Sequence, residues 1–269
     1  MSRPVQRATT AGRFYDVTVA GQLHRLPSVT NILTAISKPA LINWSANVER
    51  TMVSEAAADL YAEWAAQTTR PPLPRSWFLT TLLSGLGPAR AHEKALVKAG
   101  DIGSEIHKLI EWALRTRIGA EAGPEPMVSA AARHGFETFD RWAQAVHLKP
   151  VLVERTVYSL EHGYAGTLDL LARVEGEMCV IDFKSGKAVY GEAHLQAAAY
   201  SAAMTEMGYL PTRALIVRLP KVTTDPAFEV VSVPPVETLL PVFLAAKQLW
   251  TWQQAQEKPA RRPGPRRVA

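Results

Sequence analysis

Two acids and a lysine lie at matched positions in one β-hairpin pattern in the second half of the chain. Asp169 belongs to the apolar run before a Glu175–Gly176 turn, while Asp182 and Lys184 close the apolar run after it. Strands that meet at this turn place Asp169 opposite Asp182, and strand alternation puts Lys184 on the same face as Asp182. Two facing carboxylates repel each other unless a cation lies between them. The spacing therefore predicts a site for Mg²⁺ or Mn²⁺, the hard cations that carboxylate oxygens bind.

The same three residues fit one class of reaction. A bound divalent cation lowers the pKa of water, and the ammonium of Lys184 can position that water or stabilise charge that develops on a phosphate. This combination is typical of metal-assisted phosphodiester hydrolysis. The alternative is a surface hairpin in which Asp182 and Lys184 form a solvated ion pair. The run Gly-Thr-Leu-Asp at 166–169, at hairpin distance, favours the site over that alternative.

The sequence around these residues resembles a known family. Three runs carry the resemblance: Gly-Thr-Leu-Asp at 166–169, Val-Ile-Asp-Phe-Lys-Ser-Gly at 180–186 and Gln-x-x-x-Tyr at 196–200. Together they resemble the RecB-like branch of the PD-(D/E)XK nuclease superfamily, which includes single-chain phage and mitochondrial exonucleases, over about residues 101–219. The resemblance implies that Asp169 and Asp182 are metal ligands, that the Phe183 backbone carbonyl is a further ligand, and that Lys184 is the catalytic lysine. Leu168 stands where the superfamily's name has proline, and Asp182 replaces the commoner glutamate, a variant that this branch itself uses.

The resemblance also gives a role to an upstream helix. Its Gly-x-x-x-His pattern matches Gly103 to His107, which implies that His107 is an additional metal ligand. An imidazole ligand favours Mn²⁺ more than an all-oxygen site would. Glu111, one helical turn later, is expected to orient His107 through the second ring nitrogen. A lone histidine on a helix is otherwise structural or exposed, and Glu111 is equally suited to an ion pair with Arg115.

Three more residues are expected near the site. Glu154 occupies the acidic position that often precedes the Gly-x-x-Asp strand in this branch, where it would bind a second metal or support Lys184. As an alternating strand residue, Glu154 equally suits solvent exposure. Gln196 and Tyr200 share one helix face, and the resemblance places them beside the active site in contact with DNA. The alternative for these two residues is a structural one, with Tyr200 half-buried and Gln196 facing solvent.

Basic residues near the site could hold the phosphates of DNA. The predicted contacts are three residues on one helix face, together with a lysine after the Lys184 strand: Arg90, Lys94, Lys98 and Lys187. Arg218 and Lys221 flank the end of a later strand and are further candidates. Each group is equally suited to a solvated surface.

The elements that must position these residues follow from hydrophobic periodicity. Helices lead and strands follow, with Gly100-Asp101 expected to interrupt the helical run before a helix at 102–117. The predicted strands after it are 151–154, 157–160, the two arms of the hairpin, 213–219 and 228–233, with a crossing helix at 192–207 and a closing helix at 236–256. The predicted fold class is α/β (α+β), with a restriction-endonuclease-like mixed central sheet flanked by helices and an N-terminal helical region.

This pattern predicts three parts. Residues 1–100 form a β-hairpin and helical region, which the resemblance implies arches over the active site, and residues 101–257 form the nuclease core. Residues 258–269 form a basic tail interrupted by prolines, which we expect to be disordered.

Composition narrows the class of protein. The content is 47% hydrophobic and 20% charged, as in soluble globular proteins. Cys179 is the single cysteine, which excludes a disulfide framework and an iron–sulfur cluster held by this chain's cysteines. No apolar run reaches the roughly 20 residues that span a bilayer, so we expect no membrane partner and a cytoplasmic location.

The sequence therefore predicts a Mg²⁺- or Mn²⁺-dependent DNA exonuclease. The expected substrates are single strands or duplex ends in recombination, repair or phage DNA processing. One alternative is a structure-selective or nonspecific endonuclease with the same site, because polarity and end dependence are set by how the helices enclose it. The other is a catalytically silent DNA-binding subunit, against which the complete set of Asp169, Asp182 and Lys184 argues.

Overall fold

The computed structural model describes residues 5–9, 12–36, 39–67, 74–87 and 90–257. The predicted basic tail at 258–269 lies outside the described residues. Within them the elements are β1 Val5–Thr9, β2 Gly12–Val19, β3 Gln22–Pro27, α1 Val29–Ile32, α2 Pro39–Ala65, α3 Arg75–Leu86, α4 Ala91–Arg117, α5 Ala130–Ala145, β4 Lys149–Ser159, β5 Tyr164–Val174, β6 Glu177–Lys184, α6 Gly191–Glu206, β7 Arg213–Arg218, β8 Glu229–Ser232 and α7 Val236–Glu257. None of the described helices is long and apolar enough to cross a membrane.

A mixed five-stranded sheet forms the centre of the fold and confirms the predicted fold class. Its strand order is β4-β5-β6-β7-β8, and the β6–β7 pair is parallel while its other pairs are antiparallel. The parallel pair requires a crossover, which α6 supplies between β6 and β7. The predicted hairpin is confirmed, because Val174 pairs with Glu177 and leaves Glu175 and Gly176 as the two turn residues. Both have positive φ (53° and 91°), as a tight hairpin turn requires.

Helices cover both faces of this sheet. Leu168, Leu171 and Val180 of the sheet share one buried cluster with residues of α6 and α7, among them Phe243 at 0% exposure. On the side of α4 and α5, the Phe139 ring lies edge-on to Phe183 of β6, with centroids 5.2 Å apart. Burial on two faces explains why the β5 and β6 sequences are apolar almost throughout.

The amino-terminal strands belong to the same compact unit as the central sheet. The described residues form two units, one of residues 37–102 and one of residues up to 36 together with those from 103 onward. Antiparallel β1, β2 and β3 bury Tyr15, Val17 and Leu26 in one cluster with Ala165 of β5. Residues 5–36 therefore form one unit with the central sheet, because their apolar residues pack on β5. The sequence groups them with the helices that follow, which belong to the other unit.

Two predicted element boundaries were wrong. Gly100 and Asp101 do not interrupt the helix, since α4 runs unbroken from Ala91 to Arg117. A glycine inside a helix costs only about 0.5–1 kcal/mol, which the buried stripe of α4 outweighs. The strands predicted at 151–154 and 157–160 form one strand, β4, with an irregular register between Pro150 and Leu152.

The unit of residues 37–102 is helical. It contains α2, α3 and the first part of α4. Within it, Glu49 accepts a hydrogen bond from the backbone N–H of His92 at 3.1 Å, and its Oε1 lies 2.7 Å from His92 Nδ1. These bonds join α2 to the start of α4 and hold the pKa of Glu49 below its usual value.

Candidate metal centre and active site

Three acids lie in one row across the three strands at one side of the sheet. Val153 pairs with Leu170 and Arg155 with Leu168, which places Glu154 opposite Asp169. Leu170 pairs with Ile181, so the next position in the same register places Asp169 opposite Asp182. The β5–β6 part of this row is the arrangement that the turn length predicted. Sequence reasoning left Glu154 between a site role and solvent exposure, and the structure brings it to the acids.

The His107 imidazole lies close to two of these acids, Glu154 and Asp169. Ligand atoms of His107, Glu154 and Asp169 all lie within 4.8 Å of one another, a spacing that can hold a metal ion. His107 Nδ1 is 3.8 Å from Asp169 Oδ1, and the His107 ring lies edge-on to Phe183 with centroids 5.9 Å apart. Gly103, one turn earlier, lets α4 approach the end of β6, since a Cβ there would be 2.7 Å from Ser185 Oγ. The Gly-x-x-x-His pattern thus has a steric reason as well as a chemical one.

Asp182 is the most deeply buried acid of the group. It is 0% exposed, and neither carboxylate oxygen accepts a hydrogen bond from the described residues. Its Oδ2 is 2.6 Å from Lys184 Nζ, a contact of opposite charges without hydrogen-bond geometry. Asp169 lies on the next strand, and its Oδ2 accepts the backbone N–H of Phe183 at 2.8 Å. A buried carboxylate that keeps free lone pairs beside a His–Glu–Asp cluster fits a divalent cation, which would use those lone pairs.

The acids are held in a state that favours protonation while no cation is bound. Burial, followed by the charges of Asp169 and Glu111, raises the pKa of Glu154 to about 8. Burial also raises the pKa of Asp182 to about 6, even though the Lys184 charge opposes the shift. Raised pKa values among clustered acids are a frequent property of functional sites, since burial and neighbouring carboxylates both disfavour the charged form.

Lys184 is held by a short chain of hydrogen bonds. Its Nζ donates to Gln196 Oε1 at 3.1 Å, and Gln196 Nε2 donates to the Tyr200 hydroxyl at 3.2 Å. Burial alone would lower the pKa of Lys184, but the charges of Asp182 and Asp169 raise it above the usual value. The ammonium therefore stays protonated at neutral pH and is directed at Asp182.

Tyr200 lies behind the site rather than on its surface. It is 2% exposed, and its ring fills the space above Gly166, where a Cβ would be 2.5 Å from Tyr200 Cε1. The glycine of the Gly-Thr-Leu-Asp run is therefore needed to admit this tyrosine. In this position the Tyr200 hydroxyl accepts the hydrogen bond of Gln196, and the DNA contact that the resemblance implies for these two residues stays a prediction.

Tyr15 is a contributor that sequence reasoning missed. The Tyr15 hydroxyl lies 2.9 Å from Thr167 Oγ1, two residues before Asp169, and the tyrosine is 1% exposed. This bond joins β2 to β5, the strand of Asp169, across 152 residues of sequence. No local pattern marks such a contact, because Tyr15 alternates with neighbours like any other strand residue.

Other predicted residues are placed differently. Glu111 Oε1 is 2.8 Å from an Arg115 terminal nitrogen, which is the ion pair that the sequence offered as its alternative role. Arg218 is 2% exposed, bonds to Glu229 and to two backbone carbonyls, and is therefore not a phosphate contact. The roles expected for the Phe183 carbonyl and for four exposed basic residues stay predictions: Arg90, Lys94, Lys98 and Lys187.

Comparisons with known proteins give one family. A family model of the PD-(D/E)XK nuclease superfamily matches residues 74–263. A search of curated proteins found no match. Among solved structures, the crystal structure of SSO0001 is similar at 12% sequence identity and a TM-score of 0.28, covering 58% of this chain and 77% of that chain.

Proposed function

This chain belongs to the PD-(D/E)XK nuclease superfamily, and we propose that it is a metal-dependent DNA nuclease of the RecB-like branch that acts as an exonuclease. One observation carries the proposal: Asp182, buried without a hydrogen-bond donor, lies 2.6 Å from a lysine and opposite Asp169. A buried acid in this state is costly unless a cation joins it. The proposed settings are DNA repair, recombination or phage DNA processing in the cytoplasm.

The ligand set favours a small divalent cation. His107, Glu154 and Asp169 would hold Mg²⁺ or Mn²⁺ together with Asp182 of the neighbouring strand, and the imidazole nitrogen shifts the preference toward Mn²⁺. When bound, such a cation supplies positive charge against a phosphate and lowers the pKa of water. The Phe183 carbonyl is a further proposed ligand, since its residue follows Asp182 directly.

Lys184 has the direct catalytic role in this proposal. Its ammonium is fixed between Asp182 and Gln196, so no reorganisation is needed when negative charge grows on the phosphate. Gln196 and Tyr200 keep the ammonium in place, because Tyr200 is itself fixed against Gly166.

DNA binding and end preference require residues outside the metal site. We propose that Lys187 and the exposed basic residues before and within α4, Arg90, Lys94 and Lys98, contact phosphates. The action on single strands or DNA ends, and the arching role of residues 1–100, rest on the resemblance to RecB-like exonucleases.

A nuclease assay tests the proposal. End-labelled linear and closed circular DNA, each single- and double-stranded, would be incubated with Mn²⁺, Mg²⁺ or EDTA. Loss of linear but not circular DNA, only with a cation, is the expected result. Lys184→Ala should lose this activity while Lys149→Ala, which removes an exposed lysine at the start of β4, retains it. Equal inertness of the wild type and Lys184→Ala under every condition would refute the proposal, and cleavage of circular DNA would identify an endonuclease instead.

A further inference from the structure

A cleft adjoins the acid row on the side away from Lys184. It has a volume of about 420 Å³ and lies between the end of α4 with its following turn and residues 151–156 of β4. Glu154 lines the cleft and also belongs to the His107–Glu154–Asp169 cluster. The cleft is therefore continuous with the proposed metal site, and its volume is within the range of small-molecule sites.

Two arginines give the cleft positive charge. Arg155 is exposed and makes no ion pair or side-chain hydrogen bond within the described part of the chain. Arg115 gives a terminal nitrogen to Glu111, while its Nε is buried without a hydrogen-bond partner among the described residues. The guanidinium of Arg155 is suited to phosphate, because it can bind two oxygens in one plane, and Arg115, whose Nε is enclosed, adds positive charge to the cleft.

The remainder of the cleft is suited to a sugar and a base. Ile118, which is 43% exposed, and Val151 and Val153 supply apolar surface. Among the described strands β4 is at the edge of the sheet, so its outer backbone groups are not used by another strand. Apolar surface next to two guanidinium groups matches a nucleotide better than a bare phosphate ion, which would leave most of the cleft empty.

We propose that this cleft binds one nucleotide of the substrate strand, next to the phosphate that is cleaved. Its phosphate lies at Arg155 and Arg115, and its sugar and base lie against Ile118. This subsite deepens the proposed nuclease function and rests on it. A nucleoside monophosphate released by the reaction carries the same groups, so it should occupy the same cleft.

Direct binding of deoxyadenosine monophosphate in EDTA tests the subsite without cleavage. Isothermal titration calorimetry would compare the wild type with Arg155→Gln, Ile118→Ala and the control Arg141→Gln, which removes an exposed arginine of α5. Arg155→Gln should weaken binding about tenfold, the loss of one charge-assisted hydrogen bond, and leave the weaker binding of deoxyadenosine unchanged. Ile118→Ala should weaken binding of both ligands, and Arg141→Gln should change neither.

Cleavage kinetics supply the second readout. Arg155→Gln should raise KM for single-stranded DNA about tenfold with kcat retained, and deoxyadenosine monophosphate should inhibit the wild type competitively. If the folded wild type cleaves DNA but Arg155→Gln changes neither KM nor nucleotide affinity, the subsite is refuted and the nuclease function stands. If Arg155-dependent nucleotide binding is found in a protein that cleaves no DNA, the subsite stands and the nuclease function is refuted.

Discussion

Glu154 should make the metal-free protein less stable as the pH rises. The folded-state pKa of Glu154 is about 8, whereas an unperturbed glutamate has 4.5. Between these values the folded protein keeps a proton that the unfolded chain has released. The free energy of unfolding must therefore fall as the pH rises through this window and level off above about pH 8. Replacement by glutamine removes the ionisation and should flatten this part of the stability curve.

The magnitude follows from the size of the shift. A shift from 4.5 to about 8 corresponds to roughly 5 kcal/mol at about 1.36 kcal/mol per unit, before solvent screening is considered. Asp182, with a pKa of about 6, also lowers the free energy of unfolding as the pH rises, but mostly below about pH 6.5. In the wild type we therefore expect the free energy of unfolding to fall by about 1–2 kcal/mol more than in Glu154→Gln between about pH 6.5 and 8.5. The difference is smaller than the full shift because water reaches the partly exposed glutamate.

Thermal melting in EDTA is the assay. About 1–2 kcal/mol corresponds to a difference of several degrees in Tm for a chain of this size. Subtracting the Tm curve of Glu154→Gln from that of the wild type removes the pH dependence of groups that lie far from Glu154. The control is Glu161→Gln, since the side chain of Glu161 is 73% exposed. If Tm changes with pH in the same way in the wild type and in Glu154→Gln, then burial and the charges of Asp169 and Glu111 do not raise the pKa of Glu154 to about 8.

Three further substitutions test other parts of the site. Asp182→Asn should remove the rise in Tm that Mn²⁺ gives the wild type, because it removes a proposed ligand, and a rise as large as that of the wild type would contradict the assignment. Gly166→Ala should destabilise the protein by about 1–3 kcal/mol in denaturant unfolding, because its Cβ would meet the Tyr200 ring at 2.5 Å. Gly100→Ala, which has open space and a helical position, is its control and should not destabilise. Tyr200→Phe should lower kcat about fivefold at unchanged KM, because Gln196 loses the hydroxyl to which it donates. An unchanged kcat would show that this bond does not position the lysine.

The hairpin could be predicted from the sequence because its geometry is local. A two-residue turn at Glu175 and Gly176 fixes the register, and the register alone places Asp169 opposite Asp182. The strand alternation that relates Asp182 to Lys184 is equally local, and their charged atoms are 2.6 Å apart. Such features need no knowledge of the remaining chain.

Other parts of the site depend on contacts that no local pattern encodes. Glu154 has a φ of 47°, in the left-handed region, and follows a register irregularity in β4, so period-two alternation could not predict its direction. Tyr15 reaches Thr167 only after the amino-terminal sheet has packed on β5. The burial of Tyr200 likewise depends on Gly166, which lies on a different element. Sequence reasoning therefore identified the acids, the lysine and the neighbouring Gln196 and Tyr200, but not the contacts that Tyr15 and Gly166 make to hold them.

The state of the acids connects stability to function. Glu154 and Asp182 both have raised pKa values, which means that the folded protein without a cation is less stable at neutral pH than the same fold with neutral side chains. The Lys184 ammonium, 2.6 Å from Asp182, offsets this cost only in part, since the pKa of Asp182 is still raised to about 6. A cation that binds the ionised acids must displace the proton that Glu154 holds at neutral pH, so cation affinity should rise with pH until about pH 8. When all three acids of the row are ionised, Lys184 supplies one positive charge against three negative charges, and a bound divalent cation would supply the other two.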